Sequence, residues 1–203
     1  MEASGTRSER SDATRLALIE SARRLFGSRS YAEVSLAEIV EASGVTKGAL
    51  YHHFPGGKRD LMEAVYEKVE AEFTEGIAAR VLPAIGEGGS DPLDVMEAAI
   101  GVTLDASLDP ELQQILLIDS PSVLGWTRWR EIADDHSLAV IKALLNAAKE
   151  SGSMKPLPVD AVANLLSASI SEAIMSIARS DNQDQAKADS AAALTAILDG
   201  LRA

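Results

Sequence analysis

Cysteine is absent from the 203-residue chain. That removes disulfides, thiol nucleophiles and thiolate metal sites, and it fits an intracellular protein. Aromatic residues make up only 4% and β-branched runs are few, while Ala and Leu abound. Alanine and straight-chain residues lose least on entering a helix, so the expected fold class is all-α. No run of about 18 uninterrupted apolar residues occurs, so no membrane span is expected. The polar N-terminus MEASGTRSERSDATR lacks the apolar stretch of a signal peptide, and the expected compartment is the cytoplasm. Histidines number three, and neither H-E-x-x-H nor G-x-S-x-G is present. His52 and His53 would point about 100° apart on a helix and could not share a metal. Asp134-Asp135 and Glu70/Glu72 fit solvated helix faces better than acid–base pairs. An enzyme is therefore not expected, nor a metal, nor a cofactor.

What is present is apolar content of 46%, enough for one sizeable core or for a small head and a larger body. The net charge of −12 argues against nucleic acid until the chain is divided. Residues 1–60 hold nine Lys/Arg against eight Asp/Glu, whereas residues 61–203 hold ten against twenty-three. A near-neutral head can approach phosphates that an acidic body cannot. That balance is permissive only, so a nucleic-acid reading must rest on a motif.

Residues 1–11 read as a disordered arm, with Arg7 and Arg10 as loose phosphate contacts or merely solvated. A first helix is expected over 12–28, with Leu16, Ile19, Ala22, Leu25 and Phe26 as its inward stripe. Next comes a turn carrying Tyr31. Ser35 and Glu38 have the spacing of a capping box at the start of a second helix, whose Leu36, Ile39 and Val40 face inward. Ser43-Gly44 closes it, and Thr46 caps a third helix over 47–54. On that helix Leu50 and Phe54 form the inner edge, with Gly48 and His52 opposite. Lys47 with Tyr51, and Ala49 with His53, make the shoulders. A bare Gly-Ala patch ringed by a cation, a phenol and imidazoles suits a groove lined with phosphates. Two short helices meeting at a Ser-Gly turn make a helix-turn-helix, with the third helix as the groove reader.

Residues 14–61 resemble the DNA-binding domain of the tetracycline-repressor (TetR) family of bacterial transcription regulators. The resemblance rests on Ile19…Ala22…Leu25-Phe26, on Tyr31…Ser35-Leu36…Ile39, and on Ser43-Gly44-Val45-Thr46-Lys47-Gly48. It rests above all on Leu50-Tyr51-His52-His53-Phe54 followed by Lys58 and Leu61. It implies that Thr46, Lys47, Gly48, Tyr51, His52 and His53 contact DNA and that Lys58 holds a phosphate; Ser35 and Ala49 complete the candidate set. Two departures stand out. Ser30 occupies the place where the family usually has glycine before the aromatic, and Pro-Gly-Gly between Phe54 and Lys58 is one residue longer than the commonest form.

The remainder, 59–203, reads as a helical regulatory and dimerisation domain, giving about nine helices in all. Expected helices span 58–81, 92–107, 110–119, 122–151, 159–180 and 183–201, with the glycine-rich 84–92 as a connector. The segment 159–180 is apolar on nearly every side, which implies burial all round. Together with the small-residue face of 183–201 it is expected to form a four-helix interface with a second copy. Met96, Asp119, Trp126, Trp129, His136, Glu172 and Met175 are candidates for the lining of an effector pocket, the favoured alternative being that the tryptophans are core or interface anchors and His136 a satisfied or exposed histidine. The function expected is a ligand-responsive repressor binding a pseudo-palindromic operator as a homodimer. The alternative is a helical small-molecule-binding or structural dimer without DNA recognition.

Overall fold

The computed structural model describes residues 3–81, 83 and 89–203, with side chains from residue 8 onward among them. Besides a single 3₁₀ turn at Tyr31–Glu33, nine helical segments run through the described residues: α1 (Ala3–Ser28), α2 (Leu36–Ser43), α3 (Lys47–His53), α4 (Lys58–Val81), α5 (Pro92–Ala106), α6 (110–124), α7 (Trp126–Ser151), α8 (Val159–Ala178) and α9 (Gln183–Leu201). Among the described residues there is no strand, only an isolated bridge between Met154 and Arg202. Two compact units divide the chain. The first holds residues 1–69 and 110–129; the second holds 70–109 and 130–203. A boundary is expected at 58/59 from the sequence; the first unit here runs through residue 69 and takes in α6.

In the first unit α1 packs on α2, α3 and α6. It is helical from Ala3, inside the stretch read as a disordered arm. Nothing in 6–12 breaks a helix, and extending an existing helix costs far less than starting one; Thr14 Oγ1 donates to the Arg10 carbonyl at 2.8 Å. The inward stripe is Leu18, Ile19, Ala22 and Phe26, all within 3% of full burial. Leu16, expected in it, is 49% exposed, since it lies about 120° round the helix from Ala22.

Helix α6 is irregular, and contacts from outside it hold the irregularity in place. Pro110–Leu112 is α-helical, Gln113–Asp119 is a π turn, and Ser120–Leu124 returns to α. The Ser120 amide bonds the Ile115 carbonyl, five residues back, which frees the Leu116 carbonyl. The Trp129 indole Nε1 donates to that oxygen at 2.8 Å, and the Tyr66 hydroxyl donates to the Trp129 carbonyl at 3.1 Å. Gly125, at φ 83°, ends α6. The helix expected to start near Ser122 thus starts at Trp126.

The second unit has its own core. Leu93, Met96 and Ile100 of α5, Leu144 and Leu145 of α7, and Leu166, Ile177, Leu194 and Leu198 of α8 and α9 form one buried cluster. Asp91 caps α5 by accepting from the Leu93 amide at 2.9 Å. Its other oxygen pairs with Arg202, which also reaches Asp94 and Asp199 and ties down the end of α9. Asp134, read as a solvated carboxylate, sits instead in a shared polar network. Arg130 donates to Asp134, Ser167 and Ser171 at 2.9–3.1 Å, and Ser167 donates to Asp134 at 2.9 Å.

Helix α8 is not buried all round within one chain. Ala163, Leu166, Ser167, Ala173 and Ile177 are covered, but Leu165 is 70% exposed. By length and composition alone Val159–Ala178 could cross a membrane, with only 22% of its apolar window buried. Asp160, Glu172 and the serines along it, and its packing on α5 and α9, fit a helix of a folded core with one open face.

Candidate nucleic-acid interface

The head is assembled from short local signals. Ser35 accepts from the Glu38 amide at 3.2 Å, while the Glu38 carboxylate takes both the amide and the hydroxyl of Ser35 at 2.8 Å. Those hydrogen bonds, with Arg29 at 2.9 Å, hold the Glu38 carboxyl down to about 2. Gly44, at φ 66°, ends α2 and returns its amide to the Glu41 carbonyl, a left-handed geometry that glycine adopts without penalty. Thr46 then caps α3 by accepting from the Ala49 amide at 3.3 Å. Inside, Ile39, Leu50 and Phe54 are buried, and Arg15 lies 5.5 Å from the centre of the Phe54 ring.

Burial of that edge leaves the opposite face of α3 outward. Thr46, Lys47, Gly48, Tyr51 and His52 are exposed, with Ala49 and His53 half-buried at the shoulders. Tyr51 shows 44% of its surface. A side chain added at Gly48 would meet nothing within 4 Å, so the backbone there is bare. The His52 and His53 rings meet edge to face at 5.2 Å. Ser35 is exposed at the start of α2.

Both sequence departures are absorbed. Ser30 has φ −59° and ψ 150°, so nothing there calls for glycine; the Glu33 carboxylate takes its amide and hydroxyl. The longer Pro-Gly-Gly is used in full. The Gly57 amide donates to the Phe54 carbonyl at 2.8 Å with φ 68°, and the Gly56 amide donates to the Asp60 carboxylate at 2.6 Å. A Cβ on Gly56 would run into that carboxylate. Lys58 is consequently the first residue of α4. Its Nζ stands 4.0 Å from the centre of the Tyr31 ring. Burial pulls the Lys58 pKa below its usual value, opposed by the charges of Asp119 and Glu38. The Tyr31 hydroxyl is raised, first by burial.

The seven residues expected to line an effector pocket do not behave as a set. In the first unit Asp119 is 8% exposed and accepts from the Tyr31 amide and Gln114; Trp129 is 2% exposed and spent on the α6 carbonyl; Trp126 is 56% exposed. Met96, in the second unit, is core at 2%, His136 and Met175 are half-buried, and Glu172 pairs with Arg179 at the surface. An open groove of about 540 Å³ on the second unit is lined by Asp91, Ala147, Glu150 and Ser153 among others, and by none of the seven. Sequence reading also gave Tyr31 no role beyond its turn. Nothing in a linear pattern reveals that an aromatic at 31 lies beneath an amine at 58.

An outward α3 bearing donors around a bare backbone, capped by Thr46 and joined to α2 by the Gly44 turn, defines a helix-turn-helix DNA-binding protein. Residues 18–65 match the family described as bacterial regulatory proteins, tetR family, and residues 93–201 match the tetracyclin repressor-like C-terminal domain. A crystal structure of a TetR-family transcriptional regulator from Pectobacterium atrosepticum superposes with a TM-score of 0.81 at 30% identity, covering 96% of each chain. The transposon Tn10 TetC protein of Escherichia coli is 27% identical over 82% of this chain and 81% of its own. RolR, crystallised with resorcinol, shares the fold with a TM-score of 0.73 at 20% identity, covering 94% and 89% of the two chains.

The chain belongs to the TetR family, and it is a DNA-binding transcriptional regulator. That sets aside the structural dimer without DNA recognition, and relatives such as AcrR of Shigella flexneri and LmrA of Bacillus subtilis are named as transcriptional regulators.

Proposed function

We propose that two copies pair through α8 and α9 and present two α3 helices to a pseudo-palindromic operator, as a repressor released by a small apolar effector in the cytoplasm. The observation that carries the DNA contacts is the outward face of α3. There Thr46, Lys47, Gly48, Ala49, Tyr51, His52 and His53 meet the groove. Ser35 faces a flanking phosphate, and Lys58 holds another. Half-sites would lie about one helical turn apart or more.

Pairing is supported by the open apolar face of α8 and α9, where Leu165 is 70% and Ile197 44% exposed beside Ala161, Ala168, Ala188, Ala192, Ala193 and Ala196. Small residues allow close helix approach, and apolar surface left in water favours a second copy. The effector reading is supported by RolR, crystallised with resorcinol. For this chain we retain Met96, His136 and Met175 of the second unit as its candidates, because Asp119, Trp129 and Glu172 are engaged elsewhere and Trp126 lies against Trp129 in the first unit. An effector that prefers one arrangement of the dimer would weaken operator affinity through that preference alone.

The test is retention of genomic DNA fragments at low and high salt, followed by substitution. Lys47→Ala and Tyr51→Phe should each weaken binding to a retained fragment by about 1–3 kcal/mol with the fold intact. Unchanged affinity in both would remove α3 as the reader.

A further inference from the structure

We propose that Asp119 is a positioning residue for operator binding: carried by the π turn of α6, its carboxylate holds the Tyr31 turn beneath Lys58 and so fixes where that ammonium meets phosphate. The inference rests on the reading of Lys58 as a phosphate contact and adds to it a residue 61 positions away in sequence.

The chain of contacts is short and continuous. Asp119 Oδ2 accepts from the Tyr31 amide at 2.8 Å and from Gln114 Nε2 at 2.9 Å. Tyr31 opens a single 3₁₀ turn, Tyr31–Glu33, and its ring rests 5.5 Å from that of Phe26. Lys58 Nζ lies over the Tyr31 ring at 4.0 Å, a cation–π geometry that directs a flexible side chain. The carboxylate itself is placed by the π turn, whose extra residue rotates the next stretch of helix about its axis. That turn is braced by the Trp129 indole on the Leu116 carbonyl and by the Ser120 hydroxyl on the Ile115 carbonyl at 2.6 Å.

The formal charge is what a purely structural role leaves unexplained. Two neutral N–H donors could be met by an amide oxygen, which costs less to bury than a carboxylate. A carboxylate at 8% exposure beside the Tyr31–Lys58 stack instead steadies a cation that must later face DNA.

Asp119→Ala removes the acceptor that holds the Tyr31 turn, whereas Asp119→Asn, which keeps an acceptor there, should lose less. The probe is a fluorescent duplex of the genomic fragment best retained by the wild-type protein. If Asp119 acted only as a nearby negative charge, its removal would tighten DNA binding. Positioning gives the opposite sign: about 3- to 10-fold weaker binding and a salt slope lower by about 1, as for loss of one phosphate contact. Tyr31→Leu, which leaves the backbone cap in place, should give the same loss. In a Lys58→Ala background neither substitution should weaken binding further. Tighter or unchanged binding in Asp119→Ala, or losses that add in the double variants, would overturn the inference while leaving the operator reading intact. Failure of the wild-type protein to retain any fragment at 50 mM salt would remove both.

Discussion

Glu70 lies midway along α4, and burial pushes its carboxyl up from 4.5 to about 7. The residue as a whole is only partly buried. Sequence reading placed it on a solvated face with Glu72, because a helix position says nothing about what packs over it. The consequence for stability has a definite sign. Below about pH 4.5 the group is protonated in both states and costs nothing. Between pH 4.5 and 7 the unfolded chain releases the proton while the folded chain keeps it, so stability falls, by roughly 3 kcal/mol above pH 7 at ~1.4 kcal/mol per unit. Glu70→Gln should therefore raise the melting temperature by several degrees at pH 8 and leave it unchanged at pH 4. Equal melting at both pH values would show that the carboxyl is solvated. Ser30 teaches a related lesson. It stands where the family usually has glycine, yet a φ of −59° shows a turn that any residue can adopt.

At the scale of elements, the pieces legible in sequence were those built from neighbours. The capping box of Ser35 and Glu38, the Gly44 terminus, the Thr46 cap and the Leu50/Phe54 edge of α3 all depend on residues within four positions of one another. The interior of α6 was not legible. Its π turn exists because a tryptophan at 129 takes a carbonyl at 116, and Asp119 reaches a backbone amide at 31; no local pattern encodes either. The polar network on α7 and α8 is of the same kind. Arg130 satisfies Asp134, Ser167 and Ser171 together, with Arg130 and Asp134 only 19% and 30% exposed in their side chains. Arg130→Ala would leave an unpaired, partly buried carboxylate and two hydroxyls short of a donor. A loss of about 2–3 kcal/mol in chemical denaturation is expected. A loss below about 0.5 kcal/mol would mean that water replaces the guanidinium at no cost.

For the whole molecule, composition gave the all-helical class and the division into a near-neutral head and an acidic body. It did not give the division into compact units, because residues 110–129 come from the second half of the sequence yet belong with the head. Nor could one chain's sequence show that the covered face of α8 is only part of it. If a second copy covers the rest, Leu165→Glu and Ile197→Glu should yield a folded monomer in light scattering at micromolar concentration and abolish tight binding to two half-sites. An unchanged dimeric mass would place the pairing surface elsewhere, and a monomeric wild-type protein would remove it.

Whether the outer side of α3 lies against base edges in two places at once is decided by footprinting the wild-type protein on its best-retained genomic fragment. Two protected patches are expected on one side of the duplex, centred about 10 base pairs or more apart, both lost together in Lys47→Ala/Tyr51→Phe. Protection that survives that double substitution, or a single patch with no twin, would refute the two-headed reading.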